Sequence, residues 1–317
     1  MAVGDNATTL AGLSSVEGVV PKPLATEILT EAYSTSLAGQ LATTAPMPIT
    51  GTTLAWQVGE PIAGVVGEGE AKPVINTKVA TKTARPIKVA AIMYWSKEAR
   101  QANPLGYLGM LRDTGAAAIR RAIDLAVFHG KNGLTDTVIP GVEYVAQSSN
   151  KVTLGTGKTL TDDILAGYEA VLADGDGDIS GWAADPRMKV ELMRAKDPAG
   201  NFLFTSNTGR GGIDLRDQFG DLAGLPVGFS KAVSGQLGTV KDTGIRLIGG
   251  QFAENIKFGY VEEMTYRKSD TAMVQDGSTL VNLFQQNMEA YIVEAQFGWI
   301  IRDVNDFVLY QKQTQSD

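Results

Sequence analysis

A chain of 317 residues, 44% hydrophobic and 20% charged, has ordinary globular composition and length enough for one large domain or two modest ones. Its formal net charge of −7 argues against strong binding of nucleic-acid phosphates. The absence of cysteine removes disulfides, thiolate metal sites and cysteine nucleophiles together.

The N-terminus MAVGDNATTLAGLSS has neither a basic nor an apolar signal region, and no apolar run reaches the roughly 20 residues that cross a bilayer. A soluble protein made in a cytoplasm, without a membrane partner, is expected. The 36 glycines, many between short β-like runs, point to a strand- and turn-rich chain. Residues 1–21 are small and polar and read as an arm. Over 22–42, Leu24, Ile28, Leu29, Ala32, Leu37 and Leu41 fall near helical spacing, which predicts a short amphipathic helix. Pro46, Pro48 and Gly51 then break it.

In TTLAWQV (52–58), Leu54, Trp56 and Val58 alternate onto one face, and RPIKVAAIMYW (85–95) is a second β-like run. The Gly-rich, charged stretch between them lacks apolar periodicity. Together they predict a two-stranded excursion over roughly 50–95 that has no core of its own, and such a hairpin is marginal in water. Residues 104–129 give the clearest helix, with Asn103 as cap, Pro104 at the first position and Gly130 at the end. Its expected stripe is Leu108, Leu111, Gly115, Ala118, Ala122, Leu125 and His129, widened by Ile119, Ile123 and Ala126. From about 137 to 245 the pattern turns mixed, with helices at 161–174, opened by Thr161 or Asp162, and at 186–195 after Asp185. Long β-like runs at 246–266 and 281–310 close the chain, and no internal repeat is visible.

Enzyme chemistry finds little support. His129 is the one histidine, no GxSxG accompanies it, and at a helix end it is expected to pack or meet terminal carbonyls. GTGKT (155–159) resembles the end of a phosphate loop, but Val152 stands where the pattern needs glycine, so strand-turn-strand fits VTLGTGKTL better. Asp174, Asp176 and Asp178 have calcium-loop spacing, yet the sixth position is Ile179 and the twelfth Asp185, so a solvated turn is the reading. No catalytic residue, metal or cofactor is expected. The excursion carries a different signal. Glu60, Glu68 and Glu70 lie on its outgoing limb, and Lys72, Lys78, Lys82, Arg85 and Lys88 on the returning one. With Leu54, Trp56 and Val58, these form the expected contact surface toward neighbouring subunits. Trp56→Ala, or charge reversal at Lys78 and Lys82, should then harm assembly more than folding.

The order of these parts resembles the major capsid proteins of tailed bacteriophages, the Hong Kong 97 type, whose fold encapsulin shells share. The resemblance rests on the arm and short helix, the Gly-rich excursion ending in RPIKVAAIMYWSKEA, the long helix ending in AIDLAVFHG, then GWAADPRMKVELMRAKDPAGNFLF, LAGLPVGFS, FGYVEEMTYRKSD and NLFQQNMEAYIVEAQFGWIIRDVNDFVLY. It covers about 20–312 and implies an α+β fold. Its parts would be an N-terminal arm at 1–49, an extended β-hairpin loop at 50–95 and a spine helix of the peripheral domain at 96–136. An axial domain would follow at 137–245, and closing β segments at 246–317 would finish the peripheral domain and return to the axial one. The implied function is self-assembly into the hexamers and pentamers of an icosahedral head, built in the bacterial host cytoplasm, around double-stranded DNA it does not bind strongly. A separate scaffolding protein, a portal and a decoration protein are the implied partners. The alternatives are an encapsulin-type compartment, a carboxylate-dependent hydrolase or calcium-binding surface protein, and an unrelated tail-tube or decoration protein.

Overall fold

The computed structural model describes residues 36–58, 63–67, 72, 78–98, 104–157, 159–174, 178–196, 200–206, 219–261 and 265–312. In chain order the strands are β1 (Thr43–Pro46), β2 (Thr52–Val58), β3 (Lys78–Ala84), β4 (Ile87–Ser96), β5 (Lys151–Leu154), β6 (Gly181–Ala184), β7 (Phe204–Ser206), β8 (Phe219–Leu222), β9 (Leu225–Phe229), β10 (Ile245–Gly250), β11 (Ile256–Tyr260), β12 (Thr265–Ser269), β13 (Met273–Asp276), β14 (Thr279–Asn282), β15 (Met288–Ile301) and β16 (Phe307–Lys312). The helices are α1 (Leu37–Leu41), α2 (Pro104–His129), α3 (Leu160–Asp174), α4 (Lys189–Arg194) and α5 (Phe252–Asn255).

Two sheets carry the core. A five-stranded sheet runs β1-β11-β15-β12, with β4 also paired to β15, and a seven-stranded sheet runs β5-β16-β10-β6-β9-β8-β7. β15 organises the first. Its Val293, Ala295, Phe297, Trp299 and Ile301 alternate, as side chains on a pleated strand must, onto one buried face against Ile119, Ile123 and Val127 of α2. The seven-stranded sheet is covered on both sides. Ala183, Ile248, Phe307 and Leu309 join that same core, whereas Trp182, Ala184, Leu247, Val308 and Tyr310 face Ile164 and Val171 of α3 and Leu192 of α4.

Close packing between strands β6 and β10 depends on a missing side chain. A Cβ on Gly249 would lie 2.5 Å from the ring of Trp182, its cross-strand partner. Gly249→Ala is expected to lower subunit stability by about 2 kcal/mol through overpacking, read as a lower urea midpoint at unchanged slope.

Several expectations need correction. The excursion's returning limb is Lys78–Ala84, which pairs with β2 from Thr52↔Ala84 to Val58↔Lys78. The 85–95 run leaves the hairpin instead, and its residues from Ile87 to Ser96 pair with β15 over ten positions. Its apolar content, Val89, Ile92, Tyr94 and Trp95, belongs to a sheet strand and not to a hairpin limb. Helix 104–129 has the expected bounds and ends at Gly130 with φ 62°, where a Cβ would strike the Tyr144 ring. Of the expected stripe Ala118 is exposed, whereas Gly115, Leu125 and His129 are buried, as are Ile119, Ile123 and Ala126 beside them. The side chains of Leu108 and Leu111, and Asn103 itself, lie outside the described residues.

After Leu154 the chain turns into α3, not a strand, and Thr159 caps it by exchanging hydrogen bonds with Asp162. Of the predicted 22–42 helix, α1 is the described part, and 22–35 lies outside it. The 246–266 and 281–310 runs are each divided between elements: β10 and β16 belong to the seven-stranded sheet, while β11, β12 and β15 belong to the other.

Candidate assembly interface

β2 and β3 form a two-stranded sheet apart from the two large ones. Directly opposed residues share a face, so Leu54 and Trp56 lie beside Lys82 and Ala80, and the register continues to Val58↔Lys78. Thr53/Thr83, Ala55/Thr81 and Gln57/Val79 form the other face, and the two threonine hydroxyls meet at 2.8 Å. Among the described residues the hairpin's ties to the rest of the subunit lie near its base. Ala84 is buried with Met47 and Ile300, and Leu54 packs against them. Ile300 lies on the face of β15 that turns away from α2. The main core therefore holds one side of this strand and the hairpin base the other. Lys82 Nζ donates to Glu143 Oε2 at 2.6 Å and to the Ile301 carbonyl at 2.9 Å, while Trp299 Nε1 donates to the Glu143 carbonyl at 2.7 Å.

Beyond this anchor the surface opens. Trp56 is half-buried, Val79 is 66% exposed, and 63–67 and Lys72 are exposed. Lys78 and Arg85 are exposed as well. Glu60, Glu68 and Glu70, and the side chain of Val58, lie outside the described residues. Lys88 sits on β4, away from the hairpin, 2.6 Å from Glu294. The expected basic limb is therefore divided: Lys82 and Lys88 pair within the subunit, while Lys72, Lys78 and Arg85 face solvent. Lys82→Glu would set a carboxylate beside Glu143, with both side chains partly exposed, and should cost the subunit about 1 kcal/mol. Lys78→Glu should leave the subunit's thermal unfolding unchanged, so the two reversals expected to behave alike should differ.

The phage capsid family profile matches residues 17–312. The chain belongs to the phage capsid family. It is 30% identical over 307 residues to the probable major capsid protein gp17 of Mycobacterium phage D29, covering 94% of this chain and 91% of that one. A solved structure from Gordonia phage Cozz superposes with a TM-score of 0.71 at 27% identity, covering 88% and 87% of the two chains. Another, from Mycobacterium phage Ogopogo, gives 0.68 at 24% identity, covering 88% and 92%. The α+β capsid fold of the Hong Kong 97 type, expected from the order of the sequence elements, thus stands. This phage capsid protein is a major capsid protein of a tailed phage and a structural part of its virion; the compartment and hydrolase readings are not favoured.

The residues weighed for other chemistry have structural partners in this capsid protein. His129 is buried with Nε2 2.9 Å from the Val233 carbonyl, and burial holds its pKa below the usual histidine value. The 155–157 loop does lead from a strand into a helix, as a phosphate loop would. Its amides already have an anion, for Asp163 accepts from Gly155 N at 2.7 Å and from Gly157 N at 2.6 Å. Asp178 accepts from Tyr168 Oη at 2.7 Å, and 175–177 lies outside the described residues. Among the described residues no group of three or more His, Asp or Glu side chains is placed to hold a metal ion.

Two features escaped the sequence reading. Met273, Leu280 and Phe284 are exposed at 61%, 62% and 73% on and beside the β13–β14 hairpin, whose Val274 and Val281 bury instead against Met288 and Ala290 of β15. The alternation in MVQD and TLVN carries that division, but both faces are apolar, so it does not say which is outward. The other is Asp124, fully buried in α2. Its carboxylate accepts from Ser36 Oγ at 2.9 Å, Ala38 N at 3.1 Å and Ser230 Oγ at 3.3 Å, fastening α1 to the long helix. An acid inside the apolar run AIDLAVF was the available signal.

Proposed function

We propose that the chain closes into hexamers and pentamers of an icosahedral phage head, with the β2–β3 hairpin lying across the adjacent subunit. The observation that carries this is the hairpin itself: a two-stranded sheet anchored at its base by Leu54, Ala84 and Lys82, with Trp56 half-buried and Val79, Lys72 and Lys78 exposed. Such a ribbon is marginal without a second layer, and a neighbouring copy supplies one. The five-stranded sheet with α2 serves as the peripheral domain, the seven-stranded sheet with α3 and α4 as the axial domain, and head-to-tail contacts between copies close into rings. The predicted segments 1–49, 50–95, 96–136, 137–245 and 246–317 serve this division, with the hairpin limbs ending at Ala84.

Double-stranded DNA fills the shell, and a net charge of −7 keeps its attraction to the wall weak. A separate scaffolding protein, a portal and a decoration protein complete the head in the host cytoplasm. Electron microscopy of the purified protein across a concentration series tests the reading. Rings or closed shells that grow in with concentration support it; a monomer at every concentration overturns it.

A further inference from the structure

Beside the contact of α1 with α2 lies a cleft of about 380 Å³, lined by Arg120, Arg121 and Lys231 together with Leu37, Phe229 and Gln236. Small-ligand sites run from roughly 300 to 1,000 Å³, so the space is of that kind. Arg121 and Lys231 are exposed, and Arg120 is half-buried. The acid among the lining residues is Asp124, which is buried with its oxygens taken up by Ser36, Ala38 and Ser230. Three cations thus face one open space whose single carboxylate is already engaged.

Cations close by are satisfied differently. Arg187, next to the cleft-lining Pro186, lies 2.8 Å from Asp185 and 2.7 Å from Asp242, and Arg246 shares Asp242 at 2.8 Å. Lys131, beyond the end of α2, has Asp136 at 2.7 Å. Among the described residues no carboxylate stands within ion-pair distance of Arg120, Arg121 or Lys231. Like charges gathered without a counter-charge repel one another, and an anion bound among them relieves that repulsion. The residue types favour one class of anion. A guanidinium offers a planar fork of donors to phosphate oxygens, and an ammonium adds a point charge. Successive helix residues point about 100° apart, so Arg120 and Arg121 approach the cleft from two directions, which suits a tetrahedral group better than a planar carboxylate.

We propose that this cleft binds a phosphate group, borne on a nucleic-acid backbone or on a free polyphosphate, through Arg120, Arg121 and Lys231. A phosphate polymer meeting a chain of net charge −7 makes its contacts where cations outnumber accessible acids, as they do here. The site belongs to the single subunit and does not rest on the hairpin's role.

Unassembled full-length subunits serve for the test. Pyrophosphate should raise their thermal midpoint by mass action on the folded state, and citrate, a multivalent anion built from carboxylates, should raise it far less. The double variant Arg121→Gln with Lys231→Gln, at two exposed positions, should bind pyrophosphate about tenfold more weakly at an unchanged urea midpoint. Lys151→Gln, on exposed β5, should bind as the native protein does. A single-stranded oligonucleotide separates the two sources. Binding that pyrophosphate displaces, with a log–log salt slope that flattens by roughly one in the double variant, assigns the nucleic-acid backbone. Pyrophosphate binding without oligonucleotide binding assigns the free anion. Citrate as effective as pyrophosphate would overturn the proposal, because an acidic side chain of a partner would then be the better occupant. So would pyrophosphate binding that is absent from the native protein or unchanged in the double variant.

Discussion

Trp56→Ala should leave the isolated subunit folded and nearly as stable as before, yet shift the onset of assembly to far higher protein concentration. Trp56 is half-buried on a hairpin whose anchoring contacts lie nearer its base, at Leu54, Ala84 and Lys82. A tryptophan half covered in the subunit keeps on the order of 100 Å² to bury against a neighbour, worth about 2.5 kcal/mol. That corresponds to roughly two orders of magnitude in the concentration at which shells appear. Light scattering against concentration reads the onset, and urea denaturation reads the subunit. A large loss of subunit stability, or an unchanged onset, would show that the ring serves its own chain.

Asp124 should make the subunit more stable in mild acid than at neutrality. Burial pushes its carboxyl up to about 6, against hydrogen bonds from Ala38, Ser36, Leu37 and Ser230 that favour the ionised form. A group whose pKa is higher folded than unfolded contributes stability that is complete below the unfolded value, near 4, and is lost as pH rises through 6. A shift of about two units amounts to about 3 kcal/mol. Asp185 and Asp242, whose charge partners hold them below the usual carboxylate range, act in the opposite sense but at lower pH. His129, held below its ordinary value by burial, acts against Asp124 as the pH falls below that ordinary value. Comparison with Asp124→Asn separates the effects, because asparagine can still accept from Ser36 and Ala38 but cannot ionise. The stability of the native protein relative to this variant should fall by about 3 kcal/mol between pH 4 and pH 7. A pH-independent difference would contradict the assignment.

Elements that declare themselves locally were legible from the sequence. Helix α2 has proline at its first position, glycine past its end and enough length to fix its period, and both bounds were read correctly. The β-like character of 52–58 and 85–95 was equally clear. What was hidden is pairing, because strand partners are chosen by non-local fit. Nothing within RPIKVAAIMYW says that it abandons β2 for a strand two hundred residues later, whereas KVATKTA, with its alternating threonines, is a weak β signal that the pairing with β2 overrides. The error carried into the site: Lys88 was placed on the hairpin because β4 was, and its true neighbour is Glu294. Lys82 and Glu143 are likewise far apart in sequence, so their ion pair cannot be read from spacing. Trp56, by contrast, was recognisable as the hairpin's apolar residue because alternation alone defines its face.

Backbone amide exchange, followed residue by residue in dilute subunits and again in assembled shells, tests the hairpin's role most directly. In the dilute subunit the β2–β3 amides beyond Leu54 should exchange orders of magnitude faster than those of β15, and assembly should slow them while leaving β15 unchanged. Protection of the hairpin equal to that of β15 before assembly, or none gained after it, would contradict the claim that a neighbouring copy completes this ribbon.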